Sequence, residues 1–246
     1  MRQTDSTEDC ASLTTLVGGL AHEIRNPLST INVNLQLLKE DWLDANTPRE
    51  RRALRKLDRI QNETQRLQEI LDDFLRFVRI EKLELLEHDL NELLGELADF
   101  ITGEARLKNI EVIRFCDYNL PPCRMDRKFI KQAFLNILKN AQQAIEQDGQ
   151  IMIRSTREGG FARVEITDTG PGMPAEMLEK IFQPYYSTKG AGTGLGLPTT
   201  KRIIEKHGGS IGIQSDPGHG TSVTVLLPLA CPGKADAREG EGNIDD

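Results

Sequence analysis

Apolar residues return every three or four positions along the first third of the chain: Leu13, Leu16, Leu20, Ile24, Leu28, Ile31, Leu35 and Leu38. That spacing draws one stripe along a helix, wide enough for the seam of a bundle, and predicts a helix over about 12–44. A second stripe follows, Leu54, Leu57, Thr64, Leu67, Leu71, Phe74 and Val78. It is introduced by Thr47-Pro48-Arg49-Glu50, with Thr as N-cap, Pro at the first helical position and Glu placed to close a capping box. Two long helices joined by a short turn at 43–48 predict an antiparallel hairpin. One hairpin cannot cover both its stripes, so the pattern predicts that two copies pair into a four-helix bundle. The basic start of the second helix (Arg49, Arg51, Arg52, Arg55, Lys56, Arg59) reads as a solvated face.

The pattern changes after residue 80. Residues 81–88 read as a linker. Leu90, Leu93, Leu94, Leu97 and Ile101 then mark a shorter helix capped by Asp89, and 110–115 alternates as a strand does. Asp126 caps a helix running to about 147. Strands are predicted at about 150–156 and 161–168, a helix at about 197–207, and strands at about 210–215 and 221–227. This order predicts an α+β sandwich, a mixed sheet with helices on one face. The first 11 residues, and the Gly-rich acidic tail over 230–246, are expected to be disordered. The expected domains are therefore 12–80 and 89–229.

Composition adds exclusions. The chain has 246 residues, 28% charged and 38% hydrophobic, with formal net charge -7. Nothing there favours nucleic acid or an anionic membrane as partner. No apolar run reaches the ~20 residues of a membrane span. The four cysteines form neither Cys-x-x-Cys nor a zinc spacing, and read as free thiols of a reducing cytoplasm.

Four stretches carry candidate chemistry. In Leu20-Ala21-His22-Glu23-Ile24-Arg25-Asn26-Pro27-Leu28, His22 points off the apolar seam, where a neutral imidazole keeps a nucleophilic ring nitrogen near pH 7. Glu23 is placed to take a proton or fix the tautomer. Asn26 lies one turn along the same face, and Pro27 is expected to kink the helix. A zinc reading through His-Glu-x-x-His fails, because position 26 is Asn; a solvated His–Glu pair is the competing reading. On the helix after Asp126, Asn136 and Asn140 stand four apart, two amide oxygens able to hold a hydrated Mg²⁺, with Lys139 in reach of a phosphate. A plain polar helix face is the alternative. In the strand ending at Asp168, alternation puts that carboxylate on the apolar face, where it needs a donor. It could read the exocyclic amine of adenine, or simply close the turn Thr169-Gly170-Pro171-Gly172. Last, Gly190, Gly192, Gly194 and Gly196 lie within seven residues before a helix, whose N-terminus suits phosphate. The run is neither a Rossmann nor a Walker loop. His207, at the end of that helix, reads as structural.

Together and in order, these stretches resemble the boxes of the sensor histidine kinases of two-component systems. The H-box is His22-Glu23-Ile24-Arg25-Asn26-Pro27. The N-box is Asn136-Ile137-Leu138-Lys139-Asn140-Ala141 and the G1-box Asp168-Thr169-Gly170-Pro171-Gly172. The F-box runs from Phe182 to Lys189, and the G2-box is Gly192-Thr193-Gly194-Leu195-Gly196-Leu197. Gly220-Thr221 also matches. The second-helix ending Asp73-Phe74-Leu75-Arg76-Phe77 is similar to that of the nitrogen-regulation group, with Val78-Arg79-Ile80 in place of that group's Ala-Arg-Pro.

The resemblance implies a dimerisation and phosphotransfer hairpin followed by a Bergerat-type ATP-binding domain. It implies His22 as acceptor of the γ-phosphoryl group of ATP, Glu23 as general base, and Asn26 as the residue that positions water in a phosphatase step. It implies Asn140 with Asn136 as Mg²⁺ ligands and Asp168 as the adenine reader, with Thr221 beside it. Gly170, Gly172, Gly192, Gly194 and Gly196 shape the pocket and lid, and Lys189 lies in the lid. The partners implied are a second copy and the receiver domain of a response regulator. Too few residues precede position 12 for a sensor domain, so a separate sensor protein or a longer parent chain is expected to supply the signal. A catalytically silent, dimeric, nucleotide-binding scaffold that docks a regulator is the alternative.

Overall fold

The computed structural model describes residues 5–40, 47–78, 83–187 and 193–230. The turn expected at 43–48 and the tail over 230–246 therefore lie almost wholly outside the described residues. Contacts group the chain into two compact units: Met1–Lys82 with Glu179–Thr199, and Leu83–Leu178 with Thr200–Asp246.

In the first unit, α1 (Asp5–Glu40) and α2 (Pro48–Val78) form the hairpin. The first helix begins at Asp5, earlier than the expected 12 and within the stretch expected to be disordered. No glycine or proline interrupts residues 5–12, so nothing there stops a helix from extending. It also runs on through Pro27. The start of α2 is the expected capping box. The Glu50 carboxylate accepts the Thr47 backbone N–H at 2.9 Å, and the Thr47 hydroxyl accepts the Glu50 N–H at 3.2 Å. Such an N-cap is worth about 1 kcal/mol. Arg25 pairs with Asp72, Asn32 Nδ2 donates to Gln68, and Lys39 meets Asp58 and Gln61. Partners fall along α2 as they rise along α1, which is antiparallel packing. Leu35, Leu75 and Thr64 are buried, but Ile24, Ile31 and Leu38 remain 41%, 44% and 48% exposed. The apolar stripe is thus only half covered within one hairpin.

The second unit holds a five-stranded sheet in the order β2 (Ile110–Cys116), β4 (Gly149–Glu158), β5 (Phe161–Asp168), β7 (Thr221–Pro228), β6 (Ser210–Ser215). The β2–β4 pair is parallel and the others antiparallel, the mixed sheet expected. Alternation decides its faces. Ile151, Ile153, Ala162, Val164, Ile166, Val223, Val225 and Leu227 are buried, whereas Arg154, Arg163, Glu165 and Thr224 stand on the wetter side.

Helices α3 (Leu90–Arg106) and α4 (Arg127–Ala144) cover the apolar face. They bury Leu93, Leu94, Leu97 and Ile101, and Ile130, Phe134, Ile137 and Leu138. Both carry the predicted caps: Asp89 accepts from Asn91 and Glu92 N–H, and Asp126 from Lys128 and Phe129 N–H.

Three short elements escape the periodicities. Strands β1 (Leu86–His88) and β3 (Cys123–Met125) pair antiparallel as a separate ribbon, and α5 (Ala175–Leu178) is a single turn. The last three residues of the predicted linker 81–88 are therefore strand. The helix α6 (Gly196–Lys206) lies where expected.

Candidate nucleotide and phosphoacceptor sites

The second unit builds its candidate site at the end of β5. Asp168, the last residue of that strand, is buried, and its Oδ1 accepts the Gly170 backbone N–H at 2.8 Å. An apolar face pairs a carboxylate with a donor or leaves it costly, and this turn supplies the donor locally. Across the ladder Asp168 faces Thr221, as expected. The Thr221 hydroxyl lies 3.0 Å from Ser215 Oγ, which donates to the Gly220 carbonyl and accepts the Met173 N–H.

Two glycines make the turn possible. Gly172 (φ +69°) and Gly220 (φ +80°) both occupy the left-handed region. A Cβ at Gly172 would stand 2.0 Å from the Asp216 carbonyl oxygen, and one at Gly220 1.9 Å from that of Asp168. Gly220 was visible in the motif but its reason was not, since the close approach joins it to Asp168, 52 positions away.

The α4 helix reaches the same turn. A Cβ at Gly170 would lie 3.0 Å from Ala144 Cβ, so the end of α4 packs directly on the loop after Asp168. Asn140 is one turn before Ala144, and among the described residues its side-chain amide has no hydrogen-bond partner. Asn136, a further turn back, donates from Nδ2 to the Thr200 hydroxyl at 2.9 Å, which orients its amide and leaves the carbonyl oxygen to face elsewhere. Thr200 is a positioning partner that no local sequence signal marks, 64 residues away. Lys139 is exposed. A groove of about 820 Å³ abuts this region through Thr169, but its walls (Arg106, Asn109, Asp148, Gln150) do not include Asp168 or Asn140.

In the first unit, His22 lies on α1. Glu23 and Asn26 beside it are exposed, and the Asn26 carbonyl accepts the Thr30 hydroxyl at 3.1 Å. Lys189 and Gly192 lie outside the described residues. Gly194 (φ +68°) and Tyr185 (φ +65°) are both left-handed, and Tyr185 N–H donates to the Gly194 carbonyl at 3.1 Å. A Cβ at Gly194 would meet Tyr185 backbone at 2.5 Å. The start of α6 is tied by Thr199 Oγ1, which donates to the Leu195 carbonyl at 2.6 Å.

Two groups with shifted titration are structural. Cys123 is fully buried, and burial, with the Asp89 charge, pushes its thiol up to about 12. It is no nucleophile at neutral pH. His207 is buried and its pKa lies below the ordinary value, chiefly through burial. Among the described residues there is no cluster of three or more His, Cys, Asp or Glu side chains arranged to hold a metal, and no helix long and apolar enough to cross a membrane.

Residues 12–83 match the family model for the His Kinase A (phospho-acceptor) domain, and residues 125–230 that for the Histidine kinase-, DNA gyrase B-, and HSP90-like ATPase. The catalytic domain of the histidine kinase ThkA shares 36% identity and a TM-score of 0.55 over 59% of this chain and 95% of that one. The chain belongs to the histidine kinase family.

Full-length ShkA, solved in complex with AMPPNP, aligns at TM-score 0.72 and 26% identity over 88% of this chain and 46% of its own. ThkA in complex with the response regulator protein TrrA aligns at TM-score 0.65 and 30% identity, over 91% and 64%. Among curated proteins, Sporulation kinase C of Bacillus subtilis (strain 168) is 34% identical over 87% of this chain and 48% of its own length. Sensor histidine kinase ZraS of Escherichia coli (strain K12) is 34% identical over 90% and 47%. The chain spans about half the length of these curated relatives.

Proposed function

We propose that the chain is the core of an ATP-dependent protein histidine kinase, in which His22 takes the γ-phosphoryl group of ATP and passes it to an aspartate of a response regulator. The observation that carries this reading is the buried Asp168 held by Gly170 N–H, with the Asn136–Asn140 helix packed on the same turn. It is an acceptor poised for an adenine amine, beside oxygen donors poised for the phosphate end.

In the reaction, a ring nitrogen of His22 forms a bond to the γ-phosphorus as the bond to the β–γ bridging oxygen breaks, and ADP leaves. Glu23 accepts the proton that the other ring nitrogen carries. The phosphoryl group then moves to a carboxylate oxygen of the regulator as Glu23 returns its proton to the ring, which restores the neutral imidazole. The transition state is loose, so the chain contributes positioning and charge rather than covalent help.

Mg²⁺ fits the site on the chemistry of its donors. The Asn140 amide is uncommitted among the described residues, and the Asn136 amide is oriented by Thr200; both offer hard carbonyl oxygens, and such an ion takes most remaining ligands from water and phosphates. When bound, it neutralises charge on the β- and γ-phosphates. Lys139 is the cation in reach of those phosphates, and Lys189 belongs to the lid.

Asn26 orients the water that removes phosphate from the regulator. The half-exposed Ile24, Ile31 and Leu38 support pairing with a second hairpin into a four-helix bundle. The protein works in the cytoplasm.

The test is incubation with γ-labelled ATP and Mg²⁺, beside His22→Gln, followed by acid. Acid-labile label on the wild type alone is expected. Label retained by His22→Gln would sink the assignment, and nucleotide binding without label would favour the silent scaffold.

A further inference from the structure

The hairpin and residues 193–199 belong to one compact unit, and among the described residues a hydrogen bond joins them. The Thr193 hydroxyl donates to the Asp73 carboxylate at 2.7 Å, across 120 positions of sequence. Thr193 Oγ1 also accepts the Leu195 backbone N–H at 3.3 Å, so a local turn aims its hydrogen outward at α2. Thr193 stands between Gly192 and Gly194, neither of which has a side chain with which to hold the stretch in place. Asp73 stands next to Asp72, the partner of Arg25 across the hairpin.

That ion pair sets the height of the contact. His22 lies three residues before Arg25, and Asp73 one residue after Asp72. On antiparallel helices both displacements run the same way, so at 1.5 Å per residue the backbones of His22 and Asp73 differ by only about 3 Å along the axis. Thr193 is therefore fastened within one turn of the level of the phosphoacceptor.

We propose that Asp73 is a positioning residue for phosphoryl transfer: its carboxylate takes the Thr193 hydroxyl and seats the start of α6 against the part of the hairpin that carries His22. The proposal rests on the reading of His22 as the phosphoacceptor. Asp73 acts through Thr193. It acts because a hydroxyl–carboxylate bond is charge-assisted and short, and because a loose transition state rewards reactants already held in register.

The experiment compares Asp73→Ala, Thr193→Val, Thr193→Ser and the Asp73→Ala/Thr193→Val double variant of the whole chain. The initial rate of acid-labile labelling at saturating ATP and the nucleotide Kd are measured separately. Asp73→Ala and Thr193→Val are each expected to slow labelling about tenfold with Kd nearly unchanged. Thr193→Ser keeps the wild-type rate, and the double variant loses less than the product of the two single losses, as for two side chains in contact.

Unchanged rates, faster rates, losses that multiply in the double variant, or Thr193→Ser as slow as Thr193→Val would each overturn the proposal. A wild-type chain that takes no acid-labile label sinks the kinase reading and the proposal with it. Cross-linking of the Asp73→Cys/Thr193→Cys chain by a short bifunctional thiol reagent, mapped by mass spectrometry, then separates the two failures: a cross-link shows that only the kinase reading fell, and none shows that the contact fell too.

Discussion

His207 Nε2 accepts the backbone N–H of Asp126 at 3.0 Å, while His207 Nδ1 donates to the Ile203 carbonyl at 2.7 Å. The two bonds together require the neutral imidazole with its proton on Nδ1. Asp126 is the N-cap of α4, and its second carboxylate oxygen accepts the Glu84 N–H at 3.1 Å. One ring therefore holds the residue that starts the helix bearing Asn136 and Asn140. Burial lowers the His207 pKa, outweighing the Ile203 carbonyl and the Asp126 charge, which raise it. Protonation would turn Nε2 into a donor facing another donor.

The sign of the pH dependence follows. The unfolded chain binds the proton at the ordinary value of 6.5 and the folded chain only at a lower one. Its contribution to stability is thus complete above pH 6.5 and is lost as pH falls toward the folded value. Urea unfolding from pH 8 to pH 5 should show wild-type stability declining in that window. His207→Phe should be less stable by about 1–3 kcal/mol at pH 8, the cost of an unpaired N–H, and the gap should close on acidification. A gap constant with pH would remove this assignment.

The glycines of the turn after Asp168 give a second prediction with a built-in control. Gly172→Ala and Gly220→Ala each force a side chain into the left-handed region and onto a backbone oxygen. Each should cost about 3 kcal/mol or more. Gly212 lies on exposed β6 with no atom within 4 Å of a built Cβ, so Gly212→Ala should be neutral or slightly stabilising. Thermal unfolding of the three variants decides it: equal losses would mean that strand propensity, not the turn, sets the cost.

Much of this was legible in the sequence because its causes are local. The Thr47–Glu50 box and the Asp89 and Asp126 caps each depend on three or four consecutive residues. Alternation placed Asp168 on the buried face for the same reason. What the sequence left dark is pairing at a distance. The β1–β3 ribbon is three residues on each side, too short for a period to register. Thr200, which orients Asn136, and Thr193, which meets Asp73, are 64 and 120 residues from their partners. His207 was readable as structural, but its bond to Asp126 spans 81 positions.

Asn140 is the side chain the metal reading leans on most, since its amide is uncommitted among the described residues while Asn136 is engaged by Thr200. Asn140→Ala removes one hard oxygen without disturbing the core, because neighbouring Ile137 and Ala141 carry the burial. Nucleotide affinity should fall about tenfold in Mg²⁺, roughly one charge-assisted contact. It should match the wild type in chelator. Calorimetry in both conditions checks this, and an equal loss in chelator would assign Asn140 to the nucleotide rather than the metal.

If Asn26 positions the water as proposed, its removal should separate the two directions of phosphoryl flow. It lies one helical turn beyond His22 and is exposed, with its backbone carbonyl already taken by Thr30. Its side chain is too short to replace Glu23 as a base, and an amide does not titrate near neutral pH. It can, however, hold a water by donating and accepting at once. Asn26→Ala should therefore label His22 at close to the wild-type rate. It should also slow loss of phosphate from a phosphorylated regulator by about tenfold or more, the usual effect of removing one water-orienting group. Both rates can be read from one preparation, with regulator added after labelling. Equal loss rates would refute the role, and a matching fall in labelling would show that Asn26 supports the hairpin rather than the water.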